Sequence, residues 1–156
     1  MLDQLTKLNV MNVLSAERKA AIIRALAEGN SIRATARLTG TAKATVLKLL
    51  VELGEFCSIY QHHAHRNLKT VRAEADEIWA FVGAKRRNAK QVGHGDCWTF
   101  TCVDANSKLM ISWLVGERSS ENAHAFMRDV ASRMSGRIQL TTDGLGYYTS
   151  AVESAF

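Results

Sequence analysis

The hydrophobic period of this chain changes from helical to alternating in its middle, and that change constrains the fold more than any other feature. Before Gly54 the apolar residues recur at helical spacing, and from Ile78 to Val115 they alternate as strands do. A chain that switches from one period to the other builds a helical segment first and a strand-containing one second. The expected class is α+β, with strands and helices mixed in the second part. A length of 156 residues suits two small domains.

The first segment predicts three helices. Ser15 caps one that carries Ala16, Ala20, Ile23 and Ala27 on one face, and Gly29-Asn30 ends it. Ser31 caps a second, with Ile32, Ala36 and Leu38 inward, broken by Thr39-Gly40-Thr41. A third carries Val46, Leu49, Leu50 and Leu53, and Gly54 stops it. The polar, basic stretch 61–73 reads as a linker, so the expected boundaries are 1–60, 61–73 and 74–156.

The second segment predicts a strand over Ile78 to Val82, a basic loop from Lys85 to Gly95, and a hairpin of Cys97–Val103 with Leu109–Val115. A helix capped by Ser119 or Ser120 follows. Ile138 to Thr142 is a further strand, and Gly146 onward is helical.

Composition narrows the partners. A formal net charge of +5 and a pI near 9.3 favour a polyanion. With 47% hydrophobic and 22% charged residues the chain carries enough apolar side chains for a packed core. No apolar run is long enough to span a bilayer, and the N-terminus lacks a signal-peptide pattern, so no membrane and a cytoplasmic location are expected. The cysteines Cys57, Cys97 and Cys102 do not form a disulfide framework. Cys57, His62, His63 and His65 lack the second ligand pair of a zinc site. Cys97 and Cys102 are an odd number of positions apart on one strand and should face opposite sides.

Two short helices joined by a Gly turn can form a helix-turn-helix, with a small residue at the crossing and apolar residues fixing the second helix. Ala36, Gly40 and Val46 stand in that order. The following helix then presents Thr41, Lys43, Thr45 and Lys48, types that contact phosphates and base edges, while Arg33 and Arg37 reach the backbone. Lys85, Arg86, Arg87 and Lys90 form a second basic group suited to phosphates.

Phosphoryl transfer on DNA can use divalent metals clamped by clustered carboxylates on rigid elements. Asp76 at the start of one strand and Asp143 at the end of another are candidates, because aspartate is disfavoured in strands. Alternation sends Asp76 and Glu77 to opposite faces, so only one of them joins a site on a given face. The sequence does not decide which.

Asp76-Glu77-Ile78-Trp79-Ala80-Phe81-Val82-Gly83-Ala84-Lys85 resembles the first catalytic motif of the insertion-sequence-one type of bacterial DDE transposase. Val115-Gly116-Glu117-Arg118-Ser119 resembles the end of that family's third strand, and Thr142-Asp143-Gly144 with Tyr147 and Tyr148 resembles its second motif. The resemblance implies an RNase H-like domain behind the helix-turn-helix, and cutting and joining at transposon ends. It implies Asp76 and Asp143 as metal-binding catalytic acids, Mg2+ or Mn2+ as cofactor, double-stranded DNA as partner, and a homo-oligomer when active. Such enzymes carry a third acid well beyond the second motif, and Glu153 lies too close to Asp143 to be it. The expectation is therefore a catalytic domain incomplete before that residue. Leu145 stands where the family usually has Trp, and no cysteine pair lies upstream. The other expectation is a helix-turn-helix fragment that occupies DNA without cutting it.

Overall fold

A computed structural model gives the structure, and it describes residues 13–156. The reading of the first residues as carrying no leader lies outside them. The chain divides into two compact units, Met1–Gln61 and His62–Phe156.

Among the described residues, the first unit contains α1 (Ala16–Ala27), α2 (Ile32–Thr39) and most of α3 (Lys43–Ala64). Ser15 Oγ accepts the Arg18 amide at 3.3 Å and Ser31 Oγ accepts the Ala34 amide at 3.2 Å, so both expected serine caps form. Gly40 closes α2 with φ +60°, a left-handed conformation that only a residue without Cβ adopts cheaply. Arg18 donates to the Gly40 carbonyl at 3.3 Å, placing a cation at the negative end of α2. The core is Ile22, Val46 and Leu49, with Ile23, Leu26, Ile32 and Ala36 against it.

Several expectations fail here: Ala16 and Ala27 of the expected α1 face and Leu50 of α3 are exposed, and the buried residue of α1 is Ile22. Leu38 is 69% exposed, not inward. It stands two positions past Ala36, about 200° round the helix, on the far side from the core. Gly54 does not stop α3, which runs on to Ala64. Its φ is not positive, so it caps nothing, and one glycine inside a helix costs only about 1 kcal/mol. The expected linker thus begins with helix. Its later part is pinned, because the Leu68 amide donates to the Arg133 carbonyl at 2.9 Å and the Ser135 amide to the Leu68 carbonyl at 3.0 Å.

In the second unit β1 (Arg72–Val82), β2 (Gly95–Asp104), β3 (Met110–Gly116) and β4 (Gln139–Thr142) form one sheet in the order β3-β2-β1-β4. The β1–β2 and β2–β3 pairs are antiparallel, and β4 runs parallel to β1. Helices α4 (Ser120–Arg133) and α5 (Gly146–Ala155) supply the rest of the core. Ala73, Ala75, Phe100 and Cys102 face Phe126, Met127, Val130, Tyr148 and Ala151 there. The strand β1 starts well before Ile78. Its inward residues in that part are the small Ala73 and Ala75, set among charged neighbours, so the apolar alternation is faint in the sequence.

Gly83 ends β1 with φ +68°, and a Cβ there would lie 2.5 Å from the His94 ring. Ser119 Oγ accepts the Asn122 amide at 3.2 Å and starts α4. On α4, Asp129 accepts from Ser112 of β3 at 2.5 Å and from Arg133 at 2.7 Å, which fastens the helix to the sheet. Among the described residues no helix is long and apolar enough to cross a membrane.

Candidate functional site

Ala73 and Ala75 of β1 are buried against the helices, so alternation puts Glu77 on that same face and Asp76 on the other. The Glu77 side chain is only 1% exposed. Its Oε2 accepts two hydrogen bonds from Arg118, from Nε at 3.2 Å and Nη2 at 3.0 Å. Arg118 comes from the short connection between β3 and α4 and is 38% exposed. Its guanidinium lies 4.8 Å from the centre of the Trp98 ring, a cation–π distance.

The same guanidinium reaches Asp143, with Nη2 3.7 Å from Oδ2. Asp143 follows the last residue of β4, and β4 pairs with β1 through Ala75 and Thr142. Beyond Thr142 the chain turns: Asp143 Oδ1 accepts the Leu145 amide at 3.2 Å, and Gly144 takes φ +86°. That turn also opens α5, which carries Tyr148. Glu77 Oε1 and the Tyr148 hydroxyl are both buried. Burial raises the Tyr148 phenol far above its ordinary range, and its hydrogen bond to Glu77 and then the charges of Glu77, Asp143 and Asp76 raise it further.

The structure therefore brings Asp143 together with Glu77, through Arg118. Asp76 takes no part in this bridge, though its charge reaches Tyr148. It is exposed, and its Oδ1 accepts the adjacent Glu77 amide at 2.7 Å. It lies within β1, not at the start. Sequence reasoning left the choice between Asp76 and Glu77 open and did not single out Arg118 or Tyr148. The available signal was parity: Glu77 shares its face with Ala73 and Ala75.

The basic loop adjoins the Arg118 end of the site. Lys85 Nζ lies 5.1 Å from the centre of the Trp79 ring, and the Arg86 amide donates to Asp96 Oδ1 at 3.0 Å. Arg86, His94, Asp96, Trp98, Glu117 and Arg118 line a common pocket. Arg87 and Lys90 are exposed on the same loop.

In the first unit Arg33, Arg37, Lys43 and Lys48 are exposed, and Thr45 is half-buried. Thr41 is only 8% exposed, against the expectation that it points outward. Its amide donates to the Ala36 carbonyl at 3.0 Å and its hydroxyl to Thr39 at 3.3 Å, so it is a corner residue between α2 and α3. Lys48 pairs loosely with Glu52 at 3.8 Å.

The cysteines behave as alternation requires. Cys102 pairs in register with Ala75 on the buried face, and Cys97 with Ala80 on the other. Burial pushes the Cys102 thiol up to about 12. His62 is engaged by Arg66, with Nη2 2.9 Å from Nδ1.

No family model matches the chain, and no curated protein is significantly similar to it.

Proposed function

We propose that this chain is a DDE-type DNA transposase or the front part of one, binding transposon ends and performing metal-dependent strand cleavage and transfer. One observation carries the reading: a buried carboxylate of β1 and the carboxylate just past β4 converge on one guanidinium. A carboxylate is costly to bury, so a strand that points Glu77 into the helix face does so for a purpose that packing does not supply.

The sheet fits the RNase H-like layout that the motifs imply, with antiparallel first strands and helices packed on a mixed sheet. The first unit fits a helix-turn-helix: two short helices, a left-handed Gly40 between them, and Lys43 and Lys48 exposed at the front of α3. Arg33 and Arg37 supply backbone contacts, and Lys85, Arg86, Arg87 and Lys90 supply phosphate contacts beside the carboxylates. The enzyme acts on DNA in the bacterial cytoplasm as a homo-oligomer.

The donor set suits magnesium or manganese. Both are hard cations that take a few carboxylates and keep waters, and Glu77 and Asp143 would offer carboxylate oxygens. Among the described residues no three His, Cys, Asp or Glu side chains form one metal-holding group. The cation supplies charge stabilisation for the attacking and leaving oxygens of an in-line displacement. The carboxylates hold and orient it, the Asp143-Gly144 turn fixes Asp143, and the basic loop positions the backbone of the DNA.

Metal-dependent nicking or joining of DNA tests this, with Asp143→Ala as the control. Tight DNA binding with no metal-dependent cleavage, and indifference to Asp143→Ala, leaves only a non-cutting DNA-binding protein.

A further inference from the structure

We propose that the open end of the β1–β2 face, with Trp79 and Phe81 at its centre and the basic loop around it, is a stacking platform for an unpaired nucleotide. The ligand is single-stranded DNA, held in addition to any duplex that the first unit binds. The inference rests on the DNA reading above and adds to it the form in which the strand is held beside the carboxylates.

The helices cover only half of their face of the sheet. Ala73 and Ala75 of β1, with Phe100 and Cys102 of β2, are buried in the core that α4 and α5 complete. Alternation carries that same face on to Trp79 and Phe81, which pair in register with Trp98 and Asp96. Trp79 is 41% exposed, Phe81 is exposed as well, and their ring centres lie 5.8 Å apart. Packing accounts for the covered half and not for the open one. Adjoining aromatic rings left in water on a rigid strand form a contiguous apolar patch, which is what a binding surface looks like.

Charge selects the ligand. Trp79, Lys85, Arg86, Arg87 and Asp96 line one open hollow of about 500 Å³. Three cations stand there against one carboxylate, and Asp96 already accepts the Arg86 amide at 3.0 Å. Lys85 Nζ sits 5.1 Å from the centre of the Trp79 ring. Single strands are held by this combination, with the base stacked on a ring and lysine or arginine on the phosphate. An apolar peptide would use the rings and leave the cations idle. A free phosphate would use the cations and leave the rings idle.

Geometry selects the unpaired form. Inside a duplex each base is covered by its neighbours, so a tryptophan meets a base face only where a strand has left the helix. Trp79 is rooted in β1 by the pairing with β2, which fixes the platform. The chain then turns at Gly83, with φ +68° and no room for a Cβ beside the His94 ring, and the turn brings Lys85 back over Trp79. Lys85 is exposed, so it can swing from the ring to a phosphate as a base arrives. Trp79 lies two residues on from Glu77 on the same face, about 7 Å along the strand. A nucleotide stacked there keeps its strand within reach of the carboxylates.

Binding of a short labelled single strand of mixed sequence to the full chain is the test, followed by anisotropy and by tryptophan emission with EDTA present to exclude any metal. Binding should quench the emission. Trp79→Ala should weaken single-strand binding about tenfold or more and change the affinity for duplex of the same sequence by less than about twofold. Trp79→Phe keeps a ring, so it should bind within about threefold of the parent while losing most of the quench. Lys85→Ala should lower the slope of log affinity against log salt by about 0.7, the single-strand value for one phosphate contact. Trp113 is 43% exposed on the opposite face, and Trp113→Ala should leave the affinity unchanged. Single-strand binding unaltered in Trp79→Ala overturns the proposal, and so does an equal loss for duplex and single strand. Where Trp79→Ala does not fold by circular dichroism, a full quench in Trp79→Phe with an unchanged salt slope in Lys85→Ala overturns it. An acidic peptide that displaces the strand and binds more tightly makes the surface a protein-docking site and overturns it too. Metal-dependent nicking without Trp79-dependent single-strand binding sinks the platform and leaves the proposed function standing. Single-strand binding through Trp79 without any nicking does the reverse.

Discussion

Arg118 holds Glu77 by two hydrogen bonds to one oxygen, at 3.2 and 3.0 Å, and the carboxylate is otherwise buried. The Glu77 charge therefore depends on Arg118 for its compensation. Removing one partner of a buried pair strands the other. Arg118→Ala should lower the stability of the second unit by about 2 kcal/mol, below the full cost for a wholly buried pair because Arg118 is half-exposed. Glu77→Gln should cost less, since it leaves no uncompensated charge. Urea unfolding followed by circular dichroism measures both. An unchanged midpoint for Arg118→Ala would show that water already screens Glu77.

The sheet and α4 are held by aromatic packing. Phe100 of β2 and Phe126 of α4 are fully buried with ring centres 5.7 Å apart. Phe100→Ala should destabilise by about 3–5 kcal/mol through lost burial and the cavity it leaves. The same variant should leave DNA binding by the first unit untouched. A loss under about 1 kcal/mol would mean that the core collapses around the gap.

Acid should loosen α4 from β3. Burial pushes the Asp129 carboxyl up, but hydrogen bonds from Arg133 and Ser112 and the charges of Arg133 and Arg66 outweigh it and hold Asp129 below its ordinary 3.8. Hydrogen bonds from the Ser107 amide, from Thr70 and from the Asn106 amide likewise hold Asp104 down at the β2–β3 turn. For a carboxyl lowered on folding, the stabilisation is present above 3.8 and is lost as pH falls through the folded value. Melts between pH 6 and pH 2 should show a falling midpoint in the acid part of that range. Asp129→Asn should melt lower at neutral pH and fall less steeply in acid. An unaltered slope in that variant would remove Asp129 from the acid response.

How much was legible in the sequence follows from what each residue's neighbours reveal. The serine caps, the Gly40 turn and the hairpin were readable because each is a local pattern with a local cause. The end of α3 was not, because glycine is a weak stop without a left-handed turn. The start of β1 was hidden because its inward residues are alanines. Parity narrowed the site to Asp76 or Glu77 but could not choose, since the choice depends on which face the helices cover. Arg118 is distant in sequence from both carboxylates, and only the sheet order and the turn after Thr142 bring the three together.

Lysines at the front of α3 should act through phosphates. Lys43→Ala and Lys48→Ala should each weaken DNA binding and reduce the slope of log affinity against log salt by about 1. Thr41→Ala should act differently, by loosening the corner where its hydroxyl bonds Thr39. Fluorescence anisotropy over a salt series separates these effects. A salt slope unaltered by either lysine variant would take α3 off the DNA.

Phosphoryl transfer on DNA is the central claim, and nicking of supercoiled plasmid by the full chain with Mn2+ measures it most directly. The account predicts nicking that requires the metal and falls at least about 100-fold in Asp143→Ala, an acid that holds the metal. Equal nicking by the parent and Asp143→Ala, or none with DNA bound, would contradict it.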